Sequence, residues 1–137
     1  HLGDHHAWQK ESYFEQSCRI PYLVSWPARL PRDTRRADLV CHSDLFGIAT
    51  GAAGARDTRD GVDLLGAIED AAPTRETLVG TYSDPGTPEF KTLVRHGHWK
   101  YIYMANGARE QLFDLAEDPG ELRELSARHR STTRRLR

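Results

Sequence analysis

The apolar and polar positions change character about halfway along the chain. In the first half the apolar residues come in separate clusters. Residues 1–10 are polar and small and predict a loop, and residues 11–17 fit either a helical turn or an irregular connection. The run Ile20-Pro21-Tyr22-Leu23-Val24-Ser25-Trp26 is β-rich and nearly continuous, so it predicts a strand. Pro21 makes an edge strand more natural, or places the proline ahead of the ladder. Pro27 and Pro31 bracket a connector. Ser43 suits an N-cap for a helix beginning at Asp44, with Leu45, Ile48 and Ala49 on its apolar face. Gly47, Gly51 and Gly54 weaken that helix, each by up to ~1 kcal/mol against Ala, so close packing or looseness is expected there. Residues 56–61 predict a charged loop, and residues 62–68 one or two helical turns.

Beyond Ala72-Pro73 the pattern becomes a series of short β-like runs over residues 78–82, 91–95, 99–104 and 111–115. His96-Gly97 separates the second from the third. Asn106-Gly107 separates the third from the fourth, and Asn-Gly is the strongest short hairpin signal. Three adjacent antiparallel strands follow from these turns. In the third run Trp99, Tyr101 and Tyr103 face one way, and Lys100, Ile102 and Met104 the other. Both faces are mostly apolar, which predicts a strand covered on each side, with the aromatics in the core rather than on a sugar-stacking surface. Glu117-Asp118-Pro119-Gly120 predicts a turn, and residues 121–136 a helix through Leu122, Leu125 and Leu136 whose arginine-rich end frays.

Composition narrows the class. The 137 residues are 38% hydrophobic and 28% charged, with a net charge of −1. This is a polar globular balance with no bulk attraction to nucleic acid or membrane, and no apolar run approaches the ~20 residues of a membrane span. Four arginines lie between Arg29 and Arg36 and read as a solvated basic loop. Cys18 and Cys41 have no metal-ligand spacing and read as small, partly buried side chains. The compartment is not legible from them. The first residue is His and no signal peptide is visible, which suggests a processed chain or part of a longer one.

The densest chemistry lies in the first loop, where Asp4, His5, His6 and Lys10 fall within seven positions. Asp4, His5 and His6 are all capable metal ligands, but adjacent side chains seldom converge on one ion. The surrounding residues carry a resemblance. Gly3-Asp4-His5, Trp8, Lys10, Tyr13, Glu15, Ser17, Arg19, Pro21 and Trp26-Pro27, followed by Trp99-Lys100-Tyr101-Ile102-Tyr103 and Gln111-Leu112-Phe113-Asp114-Leu115 with Asp118-Pro119, resemble the sulfatase family of the alkaline phosphatase superfamily. The resemblance implies an α/β fold: the C-terminal part of an alkaline-phosphatase-like sulfatase, ending in a small antiparallel sheet with a C-terminal helix. Residues 1–72 would be the remnant of the α/β catalytic domain, and residues 73–137 the sheet-plus-helix subdomain.

The same resemblance implies a sulfuric ester hydrolase. Lys10, and with it His5, would contact the sulfate. A compact ammonium suits charge building on a leaving oxygen, and an imidazole can donate to a substrate oxygen. A divalent metal (Ca2+ first, Mn2+ or Mg2+ as alternatives) and a formylglycine nucleophile are also implied, both contributed by residues outside this chain. Cys18-Arg19-Ile20-Pro21-Tyr22 fails the nucleophile motif C/S-x-P-x-R, because Pro21 stands at +3 and Tyr22 replaces the arginine. Arg19 is expected to pair with a carboxylate such as Glu15. His96 and His98 read as turn residues. The expected partners are a sulfate-ester substrate and the remainder of the catalytic domain, with neither nucleic acid nor membrane. Three other readings stay open: a phosphonate monoester or phosphodiester hydrolase of the same superfamily, a non-catalytic interaction module derived from the fold, and a free-standing metal-binding domain built on the N-terminal histidines.

Overall fold

The structure, a computed structural model, describes residues 1–55 and 57–137. Chain contacts gather it into two units, one formed by His1–Tyr22 with Thr77–Arg137 and the other by Leu23–Glu76. The N-terminal segment thus joins the sheet rather than its neighbours in sequence. Of the charged loop expected over residues 56–61, Arg56 lies outside the described residues.

The first unit is built on a meander of four antiparallel strands, β1 Thr77–Tyr82, β2 Lys91–His96, β3 Trp99–Met104 and β4 Arg109–Asp114, in the order β1-β2-β3-β4. These are the runs the period-two pattern picks out. Gly97 (φ 56°) and Gly107 (φ 76°) hold the left-handed backbone that the two short turns need. Register follows the alternation. On one face Tyr101 pairs with Val94 and Leu112 and is buried with Leu112 and Leu136, against Trp99, Tyr103 and Leu125. On the other, Leu93, Ile102 and Phe113 are buried against Tyr13, Phe14, Met104 and Leu115. The sheet is therefore covered on both faces, one by the C-terminal helix α4 (Arg130–Leu136) and the other by the N-terminal segment with its single helical turn α1 (Glu15–Cys18).

Two expected elements differ. Residues 121–136 do not form one helix; only α4, Arg130–Leu136, is helical. Glu121 sits at φ 56°. The Leu125 N–H donates to the Leu112 carbonyl at 2.9 Å, and the Leu112 N–H donates to the Glu124 carboxylate at 3.0 Å. The free edge of β4 thus takes up this segment, and those tertiary bonds outweigh its helix propensity. Residues 20–26 form no strand either. An apolar run becomes a strand only beside another edge, and no described strand pairs with it; Leu23 is 88% exposed.

In the second unit α2 (Asp44–Ala52) packs with α3 (Leu64–Glu69). The helix starts at Asp44 as expected, but Ser43 makes no side-chain cap bond. The buried Asp44 carboxylate does the organising instead. It accepts the N–H groups of Cys41 (2.7 Å) and Val62 (3.0 Å) and those of the two terminal guanidinium nitrogens of Arg75, Nη2 (2.6 Å) and Nη1 (2.9 Å). The glycines of α2 serve close approach: a Cβ on Gly47 would lie 2.8 Å from the Val62 carbonyl oxygen. Asp63 caps α3 by accepting the Gly66 N–H at 2.9 Å. The arginine-rich connector is exposed, as its composition suggests, and two of its arginines are paired. Arg29 forks onto Glu69, and Arg36 onto Asp38 and the carbonyls of Ala67 and Ala72. Among the described residues no helix is long and apolar enough to cross a membrane.

Candidate functional site

The loop of residues 1–12 is polar, yet its backbone is closely specified. A 3-10 turn spans Asp4–His6. The Gly3 N–H donates to the Ala7 carbonyl (3.1 Å), the His6 N–H to Gly3 (3.0 Å) and the Ala7 N–H to Asp4 (2.9 Å). Leu2 and Trp8 bridge across the turn. His5, His6 and Gln9 all have positive φ, at 53°, 55° and 65°. Left-handed backbone at non-glycine residues costs on the order of 1–3 kcal/mol each and persists only where surrounding contacts hold it, often at functional sites. Further along, the Lys91 ammonium donates to the Glu11 carbonyl at 2.6 Å, tying the loop's end to β2.

His5 is the better-buried of the two predicted site residues. Its imidazole stacks on Phe14 at 4.0 Å with an interplanar angle of 4°. Phe14 in turn meets the core Phe113 edge-on at 5.8 Å, and the His1 ring stands edge-on to Phe14 at 6.0 Å. The Nε2 of His5 is buried and meets no hydrogen-bond partner among the described residues. Lys10 is exposed and forms no ion pair among the described residues. One loop therefore carries an imidazole nitrogen with unspent hydrogen-bonding capacity and an ammonium free to meet an anion. Asp4 and His6 are exposed. Among the described residues no group of three or more His, Cys, Asp or Glu side chains could hold a metal ion.

Beneath the loop lies a charge cluster for which the motifs, although they include Glu15 and Lys100, gave no role. Lys100, fully buried on β3, places its ammonium 2.9 Å from Glu15 and 2.8 Å from the buried Glu121. The second oxygen of Glu121 accepts the Glu15 N–H at 2.6 Å. Cys18 Sγ lies 3.6 Å from the ammonium; burial pushes this thiol up, against the pull of Lys100. Burial also lowers the Arg95 guanidinium, opposed by Glu15, Glu121 and Asp114. The one sequence signal for the cluster was a lysine at an inward position of β3, alternating with Ile102 and Met104. Glu15 is thus engaged by Lys100 rather than by Arg19, which is exposed. At the β2–β3 turn His96 Nδ1 lies 2.7 Å from Thr77 Oγ1, and His98 Nε2 3.8 Å from Asp114.

The family described as N-sulphoglucosamine sulphohydrolase, C-terminal, matches residues 3–136. The choline-sulfatase of Rhizobium meliloti (strain 1021) is 33% identical over 130 residues, which cover 91% of this chain and 25% of that protein. The chain thus spans about a quarter of the length of this relative. The solved structure of Ps i-CgsB matches with a TM-score of 0.65 at 20% identity, covering 81% of this chain and 25% of that one. That of BT4656, in complex with its substrate D-glucosamine-2-N,6-O-disulfate, matches with a TM-score of 0.55 at 18% identity, covering 68% of this chain and 21% of that one. Both likenesses are of fold.

Proposed function

Because the chain belongs to the N-sulphoglucosamine sulphohydrolase C-terminal family of sulfatases, we propose that it is the C-terminal portion of a metal-dependent sulfuric ester hydrolase. The match over residues 3–136 carries this reading. In it, residues 1–72 belong to the α/β catalytic domain and residues 73–137 form the sheet-plus-helix subdomain, with residues 1–22 of the former packed on the sheet. The partners are a sulfate ester and the remainder of that domain. One relative is named for choline, and BT4656 was solved with a disulfated glucosamine as its substrate, so the proposal is made at the level of the ester class.

The roles of this chain's residues follow from the loop. Lys10 meets a sulfate oxygen as a point charge with three donors, and His5 offers Nε2 to a second oxygen or to the leaving group. Phe14 keeps the His5 ring in one plane. The family generally uses a metal ion and a formylglycine. The metal, Ca2+ before Mn2+ or Mg2+, would polarise the ester, and both groups would be held by the remainder of the catalytic domain, since the described residues offer no ligand set.

The test is sulfate release from an aryl sulfate by the full-length enzyme carrying Lys10→Ala or His5→Ala. Loss of a donor to charge that grows in the transition state costs on the order of 10²–10³ in kcat. Wild-type kcat/KM in both variants would remove the assignment.

A further inference from the structure

A buried lysine clamped by two glutamates is a costly thing to place under a loop. Taking three charges out of water offsets much of their mutual attraction, and apolar side chains of similar volume often stabilise as well or better. What such a cluster supplies is a fixed position. Lys100 leaves β3 and takes the Glu15 carboxylate at 2.9 Å and the Glu121 carboxylate at 2.8 Å. Glu121 also accepts the N–H of Glu15, the peptide group that joins it to Phe14, at 2.6 Å. Phe14 is therefore gripped on its C-terminal side by two charged groups, while its ring meets Phe113 edge-on and carries His5 face-on at 4.0 Å. The path from Lys100 to His5 is continuous: ammonium, carboxylate, adjoining residue, stacked ring.

We infer that Lys100 and Glu121 are positioning residues for the reaction, setting the plane and depth of the His5 imidazole through Glu15 and Phe14. The inference rests on the reading of His5 as a sulfate-binding group. It gives the cluster a task that packing alone does not require: the orientation of one ring. A misplacement of about 1 Å at a reacting group can cost about 10²-fold in rate.

The experiment has two arms. In the 137-residue chain, the His5 ring protons are followed by NMR. Their stacking on Phe14 shifts them upfield, and Lys100→Met should move them toward the values of a solvated imidazole, with Lys100→Arg restoring part of the shift. If Lys100→Met does not fold, Glu121→Gln is read in the same way. In the full-length enzyme, Lys100→Met should lower kcat by about 10²-fold with little change in KM. Unmoved His5 resonances in the folded variants would overturn the inference, as would wild-type kcat in Lys100→Met where His5→Ala is impaired. If instead the resonances move and His5→Ala retains full activity, the positioning stands and the sulfate-binding role of His5 falls.

Discussion

The Asp44 carboxylate is met by four donors, two from backbone and two from Arg75, in a fully buried site. Burial alone would raise its pKa; the Arg75 guanidinium and the Cys41 and Val62 N–H groups outweigh that and hold it below the usual carboxylate range. A carboxyl depressed on folding stabilises at pH above its unfolded value, about 3.9, and that contribution is lost as pH falls through the lower folded value. The melting temperature of the Leu23–Glu76 unit should therefore fall steeply below about pH 4. Asp44→Asn should be less stable by about 3–5 kcal/mol near neutrality, because it strands Arg75, and should lack the acid-dependent step. Thermal melts from pH 7 to pH 2 decide this; a variant with the wild-type pH profile would contradict it. Lys10 sits at the opposite extreme of burial. Lys10→Ala should leave thermal stability within ~0.5 kcal/mol of wild type, while Lys10→Arg should recover only part of the lost kcat, since a planar fork does not replace a compact ammonium. Side by side, melting temperature and kcat separate a ligand-binding role from a structural one. Lys10 and His5 were legible as candidates because their loop motif is local in sequence. Lys100 and Glu121 were not, because their pairing with Glu15 joins residues far apart in the chain and follows no spacing rule.

Among the elements, the sheet is where sequence and structure agree most closely. Its alternation is local, and its turns are marked by His96-Gly97 and Asn106-Gly107. Gly107→Val should cost about 1–3 kcal/mol, because φ 76° is left-handed backbone that a β-branched residue rarely adopts. Urea unfolding should show a lower midpoint with an unchanged slope; an unaltered midpoint would mean that the turn relaxes at no cost. Agreement ends where an element depends on something distant. Residues 20–26 have the composition of a strand, but a strand needs an edge to pair with. Residues 121–129 have helix-compatible positions, but the open edge of β4 takes Leu125 and Glu124 first. At Ser43 the expected cap is absent because the residue already has helical backbone (φ −60°, ψ −25°), whereas a capping side chain needs extended backbone to reach the first-turn N–H groups.

Taken whole, the chain brings together the two proposed site residues and the charge cluster beneath them. His5 and Lys10 lie on a loop held over a sheet, and the proposed function assigns the nucleophile and the metal ligands to the remainder of the catalytic domain. Catalytic groups that act as a unit leave little activity when some are missing. The purified 137-residue chain should therefore release no sulfate from an aryl sulfate above the uncatalysed rate, with or without added divalent metal; metal-dependent turnover would place a nucleophile among these residues. The proposed function sets sulfate esters apart from their phosphorus counterparts as substrates of the full-length enzyme. The most direct measurement is kcat/KM of that enzyme on three aryl esters sharing one leaving group: a sulfate, a phosphonate monoester and a phosphodiester. The sulfate should be the preferred substrate, and Lys10→Ala should abolish most of that preference. A phosphonate or phosphodiester turned over more efficiently than the sulfate would contradict it.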